Sequence, residues 1–128
     1  MIVVSEYGNK FLLDRFIGGG VSDLTLRLFT NDIELKRNLR SIDFKEAFDF
    51  GYIPLKLYSD LYKINNNGLK IEEQFTFTGN LGNVYGYFIT DHLNEWIWAE
   101  KFDKIYEVKV NGDIIKIVCN IKIKVKEK

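Results

Sequence analysis

The closing stretch of the chain constrains the fold more than any other. Between Ile115 and Val125 an apolar residue returns at every second position: Ile115, Ile117, Cys119, Ile121, Ile123 and Val125. Lys116, Asn120, Lys122, Lys124 and Lys126 fill most of the alternate positions. Side chains switch faces at each residue of a strand and only every third or fourth residue of a helix, so this pattern specifies a half-buried antiparallel strand.

The same period appears from Asp23, where Leu24, Leu26 and Leu28 share one side and Thr25, Arg27 and Phe29 the other, before the turn pair Asn31-Asp32. Phe75 and Phe77 alternate with Gln74, Thr76 and Thr78, and Gly79 to Asn83 ends that strand. Val84 to Thr90 is aromatic and β-branched around Gly86, which predicts a bulge or a ring lying over bare backbone. Asp91 to Asn94 reads as a turn, and Trp96 to about Lys101 as a strand with both tryptophans on one side. Asn65-Asn66-Asn67-Gly68 and Asn111-Gly112-Asp113 carry hairpin signals, because Asn and Gly accept the positive φ of tight turns. The second would join Glu107–Val110 to Ile114 onward. Phe44 to Phe50 alternates loosely, and Tyr52 to Tyr58 resumes as an edge strand after Pro54.

Only the beginning departs from this. Ser5 is placed to cap a helix from Glu6 to about Ile17, with Tyr7, Phe11 and either Leu13 or Phe16 and Ile17 near helical spacing, and Gly18-Gly19-Gly20 stops it. The polar, basic stretch Ile33 to Asp43 reads as an exposed loop or short helical excursion, the first place to expect disorder. Seven or eight short strands with a turn every eight to twelve residues predict a mainly β fold, an antiparallel β-sandwich or flattened barrel with one short N-terminal helix. The division expected is an N-terminal arm and glycine hinge over 1–20 and a single β-sandwich domain over 21–128.

Composition narrows the function. With 128 residues and 46% hydrophobic side chains, one core suffices. Eighteen basic residues balance eighteen acidic ones, which argues against binding nucleic acid by phosphate neutralisation. No apolar run approaches the roughly 18 residues of a membrane span, and no basic-plus-apolar leader precedes Glu6 and Lys10. Cys119 has no disulfide partner in the chain and reads as a buried thiol.

Groups with chemical potential are scattered. His92 is the only histidine and sits in a predicted turn, where a solvated imidazole is the ordinary reading. Gly18-Gly19-Gly20 is not followed by the Lys-Ser or Lys-Thr of a phosphate loop and ends a helix where a phosphate site would begin one. Glu72-Glu73, Glu95 and Glu100 offer carboxylates without selecting a pair. The lysines of the final strand suit a polyanion or, more ordinarily, a protected sheet edge. No catalytic, cofactor-binding or metal-binding residue is assigned, and the chain is expected not to be an enzyme and to need no cofactor. The residues expected at a core or interface are Phe11, Phe16, Tyr85, Tyr87, Trp96 and Trp98.

One likeness goes beyond pattern. Phe75-Thr76-Phe77-Thr78-Gly79, Val84 to Asp91, Trp98-Ala99-Glu100-Lys101-Phe102 and Asn111 to Ile115, in that order, resemble a family of small virion proteins of tailed bacteriophages. Asn9 to Leu13, Leu26 to Asn31, Phe44 to Ala47 and Gly51-Tyr52 extend the resemblance over most of the chain. The Lys-rich final strand and the basic Ile33 to Arg40 segment depart from it. The resemblance implies a capsid decoration subunit, or a tail, connector or fibre component. It would be made in the bacterial cytoplasm and held in the virion by other virion proteins or by copies of itself, without nucleic acid or membrane. A β-sandwich module that binds a host glycan or protein through aromatics such as Tyr58, Tyr62 and Trp96 is the alternative, and an enzyme built on His92, Glu95 and Glu100 a third reading.

Overall fold

The computed structural model describes residues 1–17, 24–57, 63–65 and 68–122, with side chains for 1–11, 24–57 and 70–120. In chain order the elements are β1 (Ile2–Val4), α1 (Glu6–Ile17), β2 (Leu24–Phe29), a short 3-10 turn (Ser41–Asp43), β3 (Leu55–Leu57), β4 (Lys63–Asn65), β5 (Gly68–Thr76), β6 (Gly82–Thr90), β7 (Trp96–Val108) and β8 (Ile114–Lys122). The fold is mainly β, as the period-two pattern requires. A five-stranded sheet runs β1-β7-β6-β2-β3 and a three-stranded sheet β4-β5-β8. All pairings are antiparallel, and no closed barrel forms among the described residues, so the sandwich alternative describes the arrangement.

The alternation read from sequence decides what lies between the sheets. Leu24, Leu26 and Leu28 of β2 meet Ile71 and Phe75 of β5 and Ile115, Ile117 and Cys119 of β8 in one buried cluster. Trp98 reaches across it, its indole N–H donating to the Cys119 sulfur at 3.2 Å. A buried side chain of this size removes roughly 150–250 Å² from water, on the order of 4–6 kcal/mol at 25 cal/mol per Å².

The five-stranded sheet is covered on its other face too. Phe29, Phe44, Phe88, Trp96 and Ala99 form a second cluster there, against which Ile33, Leu35 and Leu39 pack. The 33–43 segment is therefore not merely an exposed loop. Its polar residues face water while three aliphatic ones, too few for a visible period, close the outer face. The Trp96 indole N–H donates to the Leu39 carbonyl at 2.7 Å and fixes that cover.

The expectation that Trp96 and Trp98 share a side fails because β7 carries an extra residue. Thr90 pairs with Trp96 and Ile89 with Trp98, leaving Ile97 unmatched. A one-residue bulge interrupts alternation, so Ile97 and Trp98 both join the inter-sheet cluster, while Trp96 and Ala99 join the outer one. A second irregularity, between Val84↔Tyr106 and Gly86↔Lys101, bows Phe102 to Ile105 out of the ladder. Its surplus residues belong to β7 and not to the strand of Gly86, so of the two features expected at Gly86 the ring over bare backbone is the one present: a Cβ there would stand 2.6 Å from the Phe29 ring.

Three of the expected strands and hairpins need correction. Trp96–Lys101 and the first two residues of Glu107–Val110 are parts of one 13-residue strand, β7, which ends at Val108. The Asn111-Gly112-Asp113 turn does not close a hairpin, because β7 pairs with β6 and β8 with β5. The Asp113 carboxylate accepts the backbone N–H groups of Lys109 and Val110, and the turn exchanges hydrogen bonds with Phe77 beyond the end of β5. A tight turn is encoded there, but it carries the chain from one sheet to the other. Phe44–Phe50 forms only an isolated bridge, Phe29↔Glu46. It is followed by a knuckle in which Asp49, Phe50 and Gly51 all have positive φ.

The N-terminal segment is no detached arm, since β1 pairs with Trp98, Ala99 and Glu100 at the edge of the large sheet. The Gly18 to Gly20 hinge lies outside the described residues. Helix α1 begins at the bulge of β7. The Ser5 amide donates to the Ile97 carbonyl at 2.9 Å, its hydroxyl donates to the Trp96 carbonyl at 2.8 Å, and the same oxygen accepts the Gly8 N–H at 2.7 Å. One serine thus caps the helix and satisfies the carbonyls that the bulge leaves off the ladder. Ser5→Ala should cost about 1–3 kcal/mol, since it orphans a buried donor and acceptor. At Gly8 an added Cβ would stand 2.0 Å from the Ile97 carbonyl oxygen, so Gly8→Ala should cost about 3 kcal/mol or more; urea denaturation of the two variants checks both values.

Candidate functional site

Polar residues on the outer face of the five-stranded sheet converge where β2, β3 and the β6–β7 turn meet. Thr25 and Arg27 lie two apart on β2 and so face the same way, opposite the core leucines, and Thr25 pairs with Lys56 of β3. Arg27 uses every nitrogen. Its Nε donates to Thr90 at 3.0 Å, Nη1 to both Glu46 carboxylate oxygens at 3.1 and 3.0 Å, and Nη2 to Asn94 at 3.1 Å. The Tyr52 hydroxyl donates to Glu46 at 2.6 Å and accepts the Leu28 N–H at 3.1 Å. Burial, followed by the bond to Glu46, pushes the Tyr52 hydroxyl pKa well above its ordinary value.

The turn after β6 is built on Asp91, which is buried. One of its oxygens accepts the N–H groups of Leu93 and Glu95 at 2.9 and 3.0 Å, and the other accepts the Tyr7 hydroxyl from α1. Asn94 takes positive φ, which asparagine tolerates, and closes the turn. His92 and Asn94 then stand over β2. Between them lies a cavity of about 310 Å³ walled by Thr25, Arg27, Lys56, His92 and Asn94, with Leu24, Leu57 and Asp91 at its base.

The residues singled out in sequence go elsewhere. Phe11 is buried against the main cluster, Tyr87 lies within it, and Tyr85 packs half-buried on the outer one. Trp96 and Trp98 are buried on opposite faces, so neither is a surface anchor. The Phe16 side chain, like Tyr58 and Tyr62, lies outside the described residues. The triad His92, Glu95 and Glu100 does not assemble as a set of reacting groups: His92 borders the cavity, Glu95 accepts from Ser41 at 3.5 Å, and Glu100 accepts the Tyr87 hydroxyl at 3.0 Å. Glu72 pairs with Lys116 at 3.0 Å, which holds its carboxyl below the usual carboxylate range. Cys119 is buried, and burial pushes its thiol pKa up, away from a reactive thiolate. Among the described residues, no group of three or more His, Cys, Asp and Glu is placed to hold a metal, and no helix is long and apolar enough to cross a membrane.

Exposed apolar side chains occur in several places, Ile42, Phe48, Ile53 and Leu93 among them, and one group lies along β7 and β8. The distal part of β7, the following turn and β8 expose Ile105, Tyr106, Val110, Ile114 and Val118, each to 43% or more. β8 is the outer strand of its sheet. The alternation read from the sequence holds on β8, with Ile115, Ile117 and Cys119 buried, and Ile114 and Val118 share the outward face with Lys116 and Asn120. The signal lies in the interruption of the polar alternation at 114 and 118.

The chain thus belongs to the class of mainly β proteins built of two antiparallel sheets. No family model, curated protein or solved structure matches it.

Alkaline titration tests the tyrosine environments. Burial first, then Cys119 and Glu100, raise the pKa of Tyr87 as well. A hydroxyl whose folded pKa exceeds its unfolded value stabilises the fold fully below the unfolded value, and that contribution fades as pH rises through the folded one. Stability should fall from about pH 10 upward, the ordinary tyrosine value. Near neutral pH, Tyr52→Phe should cost about 1–3 kcal/mol because the Leu28 N–H loses its acceptor. Denaturation midpoints between neutral and alkaline pH measure both effects.

Proposed function

We propose that this chain is a structural subunit of a tailed-bacteriophage virion, a capsid decoration protein that stabilises the particle through protein–protein contact. The carrying observation is the run of exposed Ile105, Tyr106, Val110, Ile114 and Val118 along the end of β7, the connecting turn and the outer strand β8. Aromatic and aliphatic side chains at an unpaired strand present both ingredients of association: main-chain groups to extend the sheet and apolar area to bury. A stable contact needs about 800 Å² per partner, more than this strip alone offers, so neighbouring polar residues would form the rim. The likeness of the 75–79, 84–91, 98–102 and 111–115 segments to small virion proteins supports the same reading. Made in the bacterial cytoplasm, the subunit would be retained by the head lattice; a tail, connector or fibre position uses the same surface with fewer copies.

Mass spectrometry of purified particles should find the chain in numbers comparable with the major capsid protein. A small count moves it to the tail or connector, and its absence from particles overturns the proposal. Ile114→Asp with Val118→Asp should change folding stability by only about 0.5 kcal/mol per site, as exposed positions do, yet reduce particle association at least about tenfold, equivalent to 1.4 kcal/mol. Co-sedimentation with stripped particles measures that loss.

A further inference from the structure

The cavity above β2 and β3 takes no part in that contact surface, and its chemistry is lopsided. Its acceptors are consumed internally. Asp91 receives Tyr7, the Leu93 N–H and the Glu95 N–H, while the neighbouring Glu46 receives Arg27 at both oxygens and the Tyr52 hydroxyl. The Asn94 side-chain oxygen is taken by Arg27. What remains unpaired at the cavity among the described residues is the Lys56 ammonium, which can only donate, with the His92 imidazole and the Thr25 hydroxyl, which can donate or accept. They come from β3, the β6–β7 turn and β2: Lys56 and Thr25 are placed by the β2–β3 pairing and His92 by the turn built on Asp91.

We infer that this cavity binds a small hydroxylated anion, a molecule of monosaccharide size carrying a carboxylate or phosphate group. With its carboxylates filled and its ammonium free, the site is completed by a ligand that brings a negatively charged oxygen acceptor to Lys56 and hydroxyls to Thr25 and His92. Arg27 contributes field but not a free fork, since Glu46 occupies it. At about 310 Å³ the cavity stands at the small end of ligand sites, which run from roughly 300 to 1,000 Å³. Its walls are mixed: the polar tips of Thr25, Lys56, His92 and Asn94 stand beside their own carbon stems, while Leu24 and Leu57 are themselves buried. Such a mixed lining suits a sugar ring, which offers hydroxyls at its edge and C–H groups on its faces. Carboxylate and phosphate share the chemistry, and paired probes separate them.

The test is a titration of the full chain, followed by two-dimensional amide NMR, with glucuronate, glucose 6-phosphate, neutral glucose and inorganic phosphate. Binding by at least one of the two anionic sugars, with shifts centred on Thr25, Lys56, His92 and Asn94, is expected, and the stronger of the two names the group preferred. Glucose should leave these resonances in place. Lys56→Ala and His92→Ala, both at exposed positions, should each weaken binding about tenfold without altering the rest of the spectrum. Ile114→Asp with Val118→Asp should bind as the parent does, which separates this site from the assembly surface. The inference is overturned if neither anionic sugar shifts these residues, if glucose binds equally, or if Lys56→Ala leaves affinity unchanged. Inorganic phosphate binding as tightly as glucose 6-phosphate would overturn the sugar-sized site.

Discussion

Ile97 is one residue too many for the ladder between β6 and β7, and the two cores are organised around that surplus. With regular pairing, Trp96 and Trp98 would fall on one face, leaving the other without its largest ring. The bulge sends Trp98 inward to the Cys119 sulfur and Trp96 outward to Phe44 and the Leu39 carbonyl. Bulges leave backbone groups off the ladder, and here Ser5 satisfies those of Trp96 and Ile97 while starting α1. The close approach of helix to strand works because position 8 is glycine. The helix, the edge strand β1 and the division of rings between two clusters thus follow from a single inserted residue and the serine that satisfies it.

The outer layer has its own fastening. Arg27 projects from the middle of β2, away from the leucines, into a position where Glu46, Thr90 and Asn94 each take one part of its guanidinium. It ties the 46–52 segment and the 91–95 turn to the sheet without a continuous apolar surface. Its side chain is only 19% exposed, so screening by water is partial and the charge-assisted hydrogen bonds exceed those of a surface pair. Because these bonds consume the local acceptors, the cavity beside them is left rich in donors. Structure and ligand preference there share one cause.

Much of this fold is legible in the sequence where a period of two runs uninterrupted. β2 and β8 are readable because each alternates cleanly, and α1 because a serine cap precedes it and glycines follow. The close approach of Phe29 to Gly86 is readable because a glycine inside an aromatic strand gives up side-chain packing that only a bulge or a close approach to its backbone repays. The bulge at Ile97 is not, since Trp96, Ile97, Trp98 and Ala99 are all apolar and an inserted apolar residue breaks no visible pattern. The crossing at Asn111-Gly112-Asp113 is hidden for a related reason: turn residues specify local dihedrals, and pairing partners are chosen by the sheets. The cavity is invisible because its walls are Thr25, Arg27, Lys56, His92 and Asn94, residues from separate segments with no shared motif. On β8 the alternation that puts Ile115 and Ile117 inside also puts Ile114 and Val118 outside, but nothing local tells that Ile105, Tyr106 and Val110 are exposed as well.

If β8 and the end of β7 form the face by which this protein is held in a particle, the backbone there must exchange differently in the free and the particle-bound chain. Hydrogen–deuterium exchange along β8 in the two states reads that difference. Slower exchange on assembly is expected for amides between Ile114 and Asn120 and at Ile105 and Tyr106, with the Asp49 to Tyr52 knuckle unchanged. Protection confined to that knuckle or to the 33–43 cover, with β8 exchanging as in the free chain, would contradict the assignment of this face.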